Sequence, residues 1–480
     1  MALRTVDQYL AALRDGREVY FRGQRVDDVT QHPVLRVGAL HCAVDYRLAE
    51  DPEHRDLFTY ELPDGQRASR YFKVPTSPQD LVDRNQLIET GTRVSQGVVP
   101  LVKEIGTDAL FALLIVSREM DRQLGTGYHQ RVQQYLDRAR REDLALAVAQ
   151  TDVKGDRSKR PSQQNPDFYV RIVDRNKDGI VIRGAKAHTT NTPFVDEIIV
   201  LPTRAMGPDD GDFAVACAVP ANAQGLRMIV SPFSPDRESR FHYPVSSRHR
   251  LTDTLTIFDN VFVPWERVFL AGEAAFAGAV ANTFVEYHRF TAVSYKPPLL
   301  DLLIGAAALI ADYNGVLNVS HIREKLTRLI IYTESIRAMS RAAAMDPEYT
   351  DDGIAVPRTI VTNMCKYYFA TQYHQMISLV QDIAGGLLVT GPSEEDLGHP
   401  VLGQDIKAYL GGREGVTAEA RLKVFNLIRD LTASDFGGYN EVLQIHAEGS
   451  IEAQKITIWR EYDLQRVVEL ARQAVETRRP

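Results

Sequence analysis

Two polar segments carry much of the reactive chemistry in this sequence. Residues 151–164 read TDVKGDRSKRPSQQ, which sets Lys154, Arg157, Lys159 and Arg160 among the hydroxyls of Thr151, Ser158 and Ser162. Cationic and hydroxyl donors at that density suit a pyrophosphate, because charge-assisted bonds to phosphate oxygens are strong. The same composition also suits a plain surface loop. Residues 184–192, GAKAHTTNT, add a histidine and three hydroxyls, with Thr189 and Thr190 adjacent. Further on stand Tyr287-His288-Arg289 and Tyr295-Lys296. A neutral imidazole exchanges protons readily near pH 7, so His288 is a candidate acid or base, although a lone His near a helix start is often structural. Tyr295 can donate a hydrogen bond, and Lys296 can meet a carbonyl or an anion.

Several chemistries are missing. The chain has no GxGxxG and no GxxxxGK[ST], so neither a dinucleotide fold fingerprint nor a phosphate-binding Walker loop is present. GxSxG, HExxH and metal-spaced His/Cys/Asp clusters are absent too. Cys42, Cys217 and Cys365 are far apart and odd in number, which fits neither a disulfide framework nor a CxxC site. A net charge of −7 argues against a nucleic-acid binder. No apolar run approaches the ~20 residues that span a bilayer. Residues 1–14 are amphipathic and include Asp7, unlike a signal peptide, so a cytoplasmic location is expected.

A chain of 480 residues exceeds the usual size of one core, and its pattern changes twice. Residues 1–145 read as an N-terminal helical domain, with helices expected at 108–120 and 128–141. Residues 146–275 read as a compact β barrel or sandwich. Strands are expected at 169–174, 179–183, 196–201, 213–219, 226–231 and 254–258, with a hairpin signal at Asn176-Lys177-Asp178-Gly179. Residues 276–480 read as a helical bundle, with helices at 299–313, 321–345, 359–383, 417–432 and 452–476. The class is α+β, and a cofactor would lie between the β domain and the bundle.

At this point the segments form a recognisable set. The sequence resembles the family of 4-hydroxybutyryl-CoA dehydratases and 4-hydroxyphenylacetate 3-monooxygenases nearly end to end. The resemblance rests on residues 9–33 (YLAALRDGREVYFRGQRVDDVTQHP), the two polar segments, 258–263 (FDNVFV), 305–315 (GAAALIADYNG) and 381–393 (QDIAGGLLVTGPS). It implies an acyl-CoA-dehydrogenase-like fold, FAD in the cleft and a homotetramer built through the C-terminal bundle. Thr151, Lys154, Arg157, Ser158, Arg160, Thr189 and Thr190 would hold the flavin. Gln381, Gly385 and Gly386 would approach the cofactor of a neighbouring subunit, although the glycine pair also suits an ordinary helix end.

The resemblance is closest to the dehydratase branch, and the departures from it bear on function. Those enzymes hold a [4Fe-4S] cluster through three Cys and one His. Alignment on residues 106–109 puts Pro100 and Glu104 at two Cys positions, and the third, seven residues after His288, is Tyr295. Thiolates hold such clusters, so no iron-sulfur cluster and no metal site is expected. Lys296 matches a dehydratase site Lys. Asp253 falls at a site Glu, or is simply a turn residue. The monooxygenase branch has a Gly-Arg-x-Pro-Asp-Tyr pattern where this chain has residues 97–102, and its phenol-binding His maps near Val148. Val98, Val99, Leu101 and Val148 would therefore line a partly apolar substrate pocket. The leading expectation is a two-component monooxygenase that takes reduced FAD from a separate flavin reductase and acts on a small molecule. The alternative is a cluster-free FAD-dependent acyl-CoA isomerase or dehydratase-like enzyme with His288 as base.

Overall fold

The apolar sequence after residue 273 forms a single 40-residue helix, Ala274–Tyr313, and much of the molecule packs around it. The computed structural model of the chain describes residues 3–232 and 239–476. Helices Pro78–Val94 and Glu104–Leu124 lie against this long helix from the N-terminal side, and Ser320–Met345 and Thr359–Ala384 from the C-terminal side. Every residue from Tyr287 to Leu300 is buried. A helix enclosed all round has no polar face to keep in water, which explains its weak periodicity.

By length and composition this helix could cross a membrane, yet 67% of its most apolar stretch is buried inside the protein. Its apolarity is that of a core. Pro297 and Pro298 sit inside it. They remove two backbone donors, so the carbonyls of Val293 and Ser294 lose their usual helical partners. That local break is why the sequence pattern predicts a helix only from residue 299. Packing on all sides carries the helix through.

The β region is two sheets. The larger has the order Gln24–Val26, Glu18–Phe21, Leu226–Val230, Asp253–Pro264, Gly179–Thr190, Arg171–Arg175. The smaller has the order Val268–Ala271, Val215–Pro220, Glu197–Val200, Leu146–Ala149. The first 145 residues are thus not purely helical. Glu18–Phe21 pairs in parallel with Leu226–Val230, and Gln24–Val26 extends that edge. A parallel neighbour some 200 positions away leaves no local pattern to read. The expected strand at 179–183 runs on to Thr190 and absorbs the GAKAHTT segment. The expected helix at 452–476 is two, Ile451–Glu461 and Leu464–Glu476. Helix Asp435–His446, which the pattern did not pick out, stands between the bundle and the larger sheet.

Two glycines set close approaches, one in the core and one in the exposed loop at 151–164. A Cβ on Gly106 would lie 2.2 Å from the Cβ of Leu146, so only glycine lets helix Glu104–Leu124 rest on strand Leu146–Ala149. Gly155 has φ +53° and its Cβ would lie 2.2 Å from the Phe168 ring. Gly106→Val should lower stability by about 1–3 kcal/mol through overpacking, measured by urea denaturation. Unchanged stability would show that the helix and strand can separate freely.

Candidate active site

His288 lies nearly two turns before Tyr295 on the long helix, with Thr291 between them on the same side. Helix Glu104–Leu124 packs there and presents Asp108, which is fully buried. Its carboxylate accepts from Thr291 Oγ1 at 3.0 Å and from Arg84 Nη2 at 2.7 Å, and its second oxygen lies 3.4 Å from His288 Nδ1. Phe284 stacks on the imidazole with ring centroids 5.1 Å apart. With Nδ1 turned to Asp108, Nε2 is the nitrogen left for proton exchange.

One helical turn beyond Thr291, Tyr295 and Lys296 meet Glu448. The Tyr295 hydroxyl donates to Glu448 Oε1. Lys366 Nζ, from helix Thr359–Ala384, lies 2.8 Å from Glu448 Oε2, and Lys296 Nζ lies 3.8 Å from it. All four side chains are enclosed. Glu448 follows helix Asp435–His446 with a left-handed φ of +61°, and its carbonyl accepts from Arg289 Nε at 3.0 Å. A non-glycine residue held in that region is strained and is kept there by its surroundings. Burial pushes the Glu448 carboxyl up, but the charges of Lys296 and Lys366 outweigh it and hold the group at about 2. Burial brings Lys296 down to about 7, with Glu448 opposing and Lys366 adding to the fall. A lysine there can carry or release a proton near neutrality.

The same helix closes the site on the β side. Tyr439 donates to Asp253 Oδ2 at 2.7 Å, and Thr190 donates to Asp253 Oδ1 at 2.7 Å. Gln444 Oε1 accepts from Lys296 at 3.3 Å. Asp253 opens strand Asp253–Pro264 and is buried, so it works as a joint between sheet and bundle. Burial and the Asp253 charge push the Tyr439 hydroxyl well up, and Tyr295 adds to this, so the groups share one electrostatic environment.

The residues expected for flavin fall in two places. Lys154 has φ +73° and is followed by Gly155; burial and the charge of Arg157 lower its ammonium. Arg157 has no carboxylate partner among the described residues. Ser158 Oγ instead donates to Asp156 at 2.7 Å, and Arg160 lies 3.6 Å from Asp210. Thr151 accepts the Ala187 amide, which ties the loop to strand Gly179–Thr190. Beneath the loop, Lys186 is buried and bonded to Asp152, Gln150 O and Leu201 O at 2.8 Å each. Thr189 is turned into the sheet, where its hydroxyl meets those of Thr254 and Thr256 at 2.7 and 2.6 Å. Lys154 and Arg157, crowded without a carboxylate on Arg157, fit a diphosphate; the Thr189 hydroxyl is already engaged.

Gln381 donates to Thr432 O at 2.9 Å, and Gly385 and Gly386 are exposed with nothing near a built Cβ. Val98, Val99, Leu101 and Val148 are all buried, and the loop holding the first three is pinned by Asn191 Nδ2 donating to Pro100 O at 2.8 Å. Glu104 turns back on its own helix start, accepting from the Val102 and Lys103 amides at 3.0 Å. It also accepts from Tyr71, which bridges to buried Asp45. The three cysteines are buried and free, and no group of three metal-ligating side chains occurs among the described residues. A donor set of Pro100, Glu104 and Tyr295 does not suit an iron-sulfur cluster.

Sequence reasoning missed Asp108, Arg84, Lys366, Tyr439 and Glu448. The one local sign was Glu448-Gly449 beyond an apolar helix, which alone reads as a turn.

The architecture, helices then two sheets then a helical bundle, is that of acyl-CoA-dehydrogenase-like enzymes. Butyryl-CoA dehydrogenase from Megasphaera elsdenii shares it at a TM-score of 0.50 and 15% identity, covering 91% of this chain and 98% of that one. The chain belongs to the 4-hydroxyphenylacetate 3-hydroxylase family, whose N-terminal and C-terminal regions match residues 5–270 and 277–476. It is 34% identical to 4-hydroxybutyryl-CoA dehydratase/vinylacetyl-CoA-Delta-isomerase of Clostridium aminobutyricum, over 98% of this chain and 99% of that one. It is 30% identical to the oxygenase component of 4-hydroxyphenylacetate 3-monooxygenase from Thermus thermophilus, over 92% and 91%. Among solved structures, a 4-hydroxybutyryl-CoA dehydratase from N. maritimus matches at a TM-score of 0.94 and 34% identity, covering 100% and 96%. A 4-hydroxyphenylacetate 3-monooxygenase oxygenase component complexed with FAD matches at 0.91 and 28%, covering 98% of each.

Two outcomes test the buried charges. Glu448→Gln should cost about 3–5 kcal/mol in urea denaturation, because two enclosed ammonium groups lose their counter-charge. Lys296 titrates lower folded than unfolded, so between about pH 7 and 10.5 the unfolded chain binds more protons and stability rises with pH. Lys296→Met should remove that rise, at most about 1.4 kcal/mol per pH unit, and parallel pH profiles would refute it.

Proposed function

We propose that the protein is a two-component, FAD-dependent monooxygenase that receives reduced FAD from a separate reductase and oxygenates a small, partly apolar or aromatic substrate. The observation that carries this reading is the filled cluster position. Where dehydratase relatives are expected to use a thiolate, this chain has a tyrosine hydroxyl bonded to a buried carboxylate beside two lysines. Such a site is suited to moving protons, and of the four cluster ligands that the resemblance implies it keeps His288 alone and none of the thiolates. The relationship to oxygenase components over more than nine-tenths of the chain supports it.

Bound in reduced form, FAD would supply the two electrons that let one oxygen atom of O2 enter the substrate while the other leaves as water. The chain's own part is to hold FAD by Lys154 and Arg157, exclude water and move protons. His288 Nε2, steadied by Asp108, takes a proton from an acidic substrate hydroxyl. Lys296, poised near neutrality, returns one through Tyr295 or directly. Val98, Val99, Leu101 and Val148 give the substrate an apolar wall. We further propose a homotetramer in which Gln381, Gly385 and Gly386 face a neighbouring subunit's cofactor.

A second reading rests on the His288–Asp108 pair. In a cluster-free isomerase of acyl-CoA thioesters, His288 would carry an α-proton from one carbon to another, with FAD bound nearby.

The test supplies chemically reduced FAD and labelled O2 with a panel of phenols and small apolar acids. Product carrying the label is expected, and His288→Gln should lower kcat by about 10²- to 10⁴-fold. Turnover of crotonyl-type thioesters without O2, with no labelled product, would replace this reading by the second. Stoichiometric iron and sulfide in anaerobically purified protein would defeat both.

A further inference from the structure

Beneath the turn at residues 97–103 lies a group of buried side chains that the proton-transfer cluster leaves unused. Asp45 on helix Val44–Glu50, Tyr71 and Glu104 are all enclosed. The Tyr71 hydroxyl stands 3.2 Å from Asp45 Oδ1 and 3.3 Å from Glu104 Oε1. It carries one hydrogen, so it can donate to only one of the two acids. Burial and the neighbouring acids push this hydroxyl well up, so the hydrogen stays on its oxygen. The other contact then needs a hydrogen from a carboxyl group, since two bare oxygens at that separation repel.

The surroundings decide which acid holds it. Glu104 Oε2 accepts the amides of Val102 and Lys103 at 3.0 Å each, at the start of helix Glu104–Leu124, where a negative charge is favoured. Asp45 Oδ2 has no donor among the described residues. An unpaired oxygen costs far less on a neutral carboxyl than on a carboxylate. The nearby cations are engaged with other acids: Lys103 Nζ lies 2.6 Å from Asp143 Oδ1, and Arg84 Nη2 lies 2.7 Å from Asp108 Oδ1. Cys42 and Tyr46 also face Asp45, and burial keeps both in their neutral forms. Helix Pro78–Val94 presents Gly91 there, whose Cβ would lie 3.6 Å from Asp45 Oδ1. Burial and then the Glu104 charge push the Asp45 carboxyl well above the usual range, with Lys103 opposing and Asp143 adding to the rise. The hydrogens therefore run from Asp45 to Tyr71 and from Tyr71 to Glu104.

We propose that Asp45 stands as the neutral acid of a buried proton chain, Asp45–Tyr71–Glu104, which latches the turn at 97–103 to the N-terminal helices and loosens once that proton is lost. Glu104 holds the amides of Val102 and Lys103, while Cys42 Sγ and Asn191 Nδ2 hold the Pro100 carbonyl at 3.7 and 2.8 Å. The turn carries Val98, Val99 and Leu101, so the latch makes the apolar wall proposed for the substrate sensitive to alkali. Ionised, Asp45 sets a second charge beside Glu104 in a space closed to water. The chain works with or without flavin, so it stands apart from the oxygenation reading. Asp45 binds its proton more tightly folded than unfolded. The stability this contributes is complete below about pH 4, where the unfolded carboxyl is protonated, and is lost as pH rises through the folded value.

The test is infrared difference spectroscopy of the full chain across pH, which separates the carbonyl stretch of a protonated carboxyl from the bands of a carboxylate. Asp45→Asn should remove a carboxyl band that the parent shows at neutral pH. The amide keeps the shape of the side chain and can still donate to Tyr71, so this variant should stay folded. Relative to Asp45→Asn, the folding equilibrium constant of the parent should fall by up to about tenfold per pH unit over the range in which the band disappears. Protection of the Val102 and Lys103 amides from hydrogen exchange should fall over that range in the parent and stay level in Asp45→Asn. Glu104→Gln removes the neighbouring charge and should move the loss of the band to lower pH, a result that serves equally should Asp45→Asn fail to fold. A carboxyl band unchanged by Asp45→Asn, or one removed by Glu104→Gln in its place, would overturn the proposal. So would a band that Glu104→Gln does not shift, or amide protection that follows one course in parent and Asp45→Asn.

Discussion

Two ammonium groups and one carboxylate occupy a space from which water is excluded. Lys296, Lys366 and Glu448 come from the long central helix, a bundle helix and the turn after helix Asp435–His446. None could stay charged there alone, since an isolated ion in a low-dielectric interior costs several kcal/mol. The three must therefore be brought together, and that requirement fixes the relative placement of all three elements. The left-handed backbone at Glu448 is one consequence, and the Arg289 bond to its carbonyl is another. Through Gln444 and Tyr439 the same helix reaches Asp253, so the placement extends to the edge of the larger sheet.

This arrangement separates structural from chemical burial. Arg84–Asp108 and Lys103–Asp143 are also enclosed ion pairs, at 2.7 and 2.6 Å. Lys103–Asp143 sits under the Tyr46 ring, away from the long helix, and reads as a clamp between N-terminal elements. Arg84–Asp108 differs because Asp108 also faces His288. One carboxylate then anchors an arginine and orients an imidazole, so stability and the proposed proton transfer share a residue. Enclosure by itself does not mark function. Enclosure beside an imidazole and a lysine near neutrality is what the proposed proton transfer requires.

The family relationship and the local chemistry support each other without coinciding. The chain is related over nearly its whole length both to a dehydratase/isomerase and to oxygenase components, so membership alone does not choose between reactions. The residues at Pro100, Glu104 and Tyr295 bear on that choice. Glu104 folds back on its helix start and toward Tyr71, so its carboxylate is taken up by those donors.

The sequence alone determined the order of helical, β and helical regions, because hydrophobic period and turn residues are local properties. It also singled out His288, Tyr295, Lys296 and Asp253 as candidates, and it puts no cysteine at positions 100, 104 and 295. Much of the rest was settled in three dimensions. Strand Glu18–Phe21 needed a parallel partner some 200 residues on, and the long helix needed packing on every side to pass Pro297 and Pro298. Thr189 looked like a free hydroxyl in the sequence, but the register of strands Gly179–Thr190 and Asp253–Pro264 turns it onto Thr254 and Thr256. Glu448 gave only the local sign of a turn, since a glutamate before glycine reads as a surface turn. Only the convergence of chain segments about 150 and 80 residues away makes it the counter-charge of two buried lysines, and convergence over such distances is set by the fold's packing, which local sequence does not record.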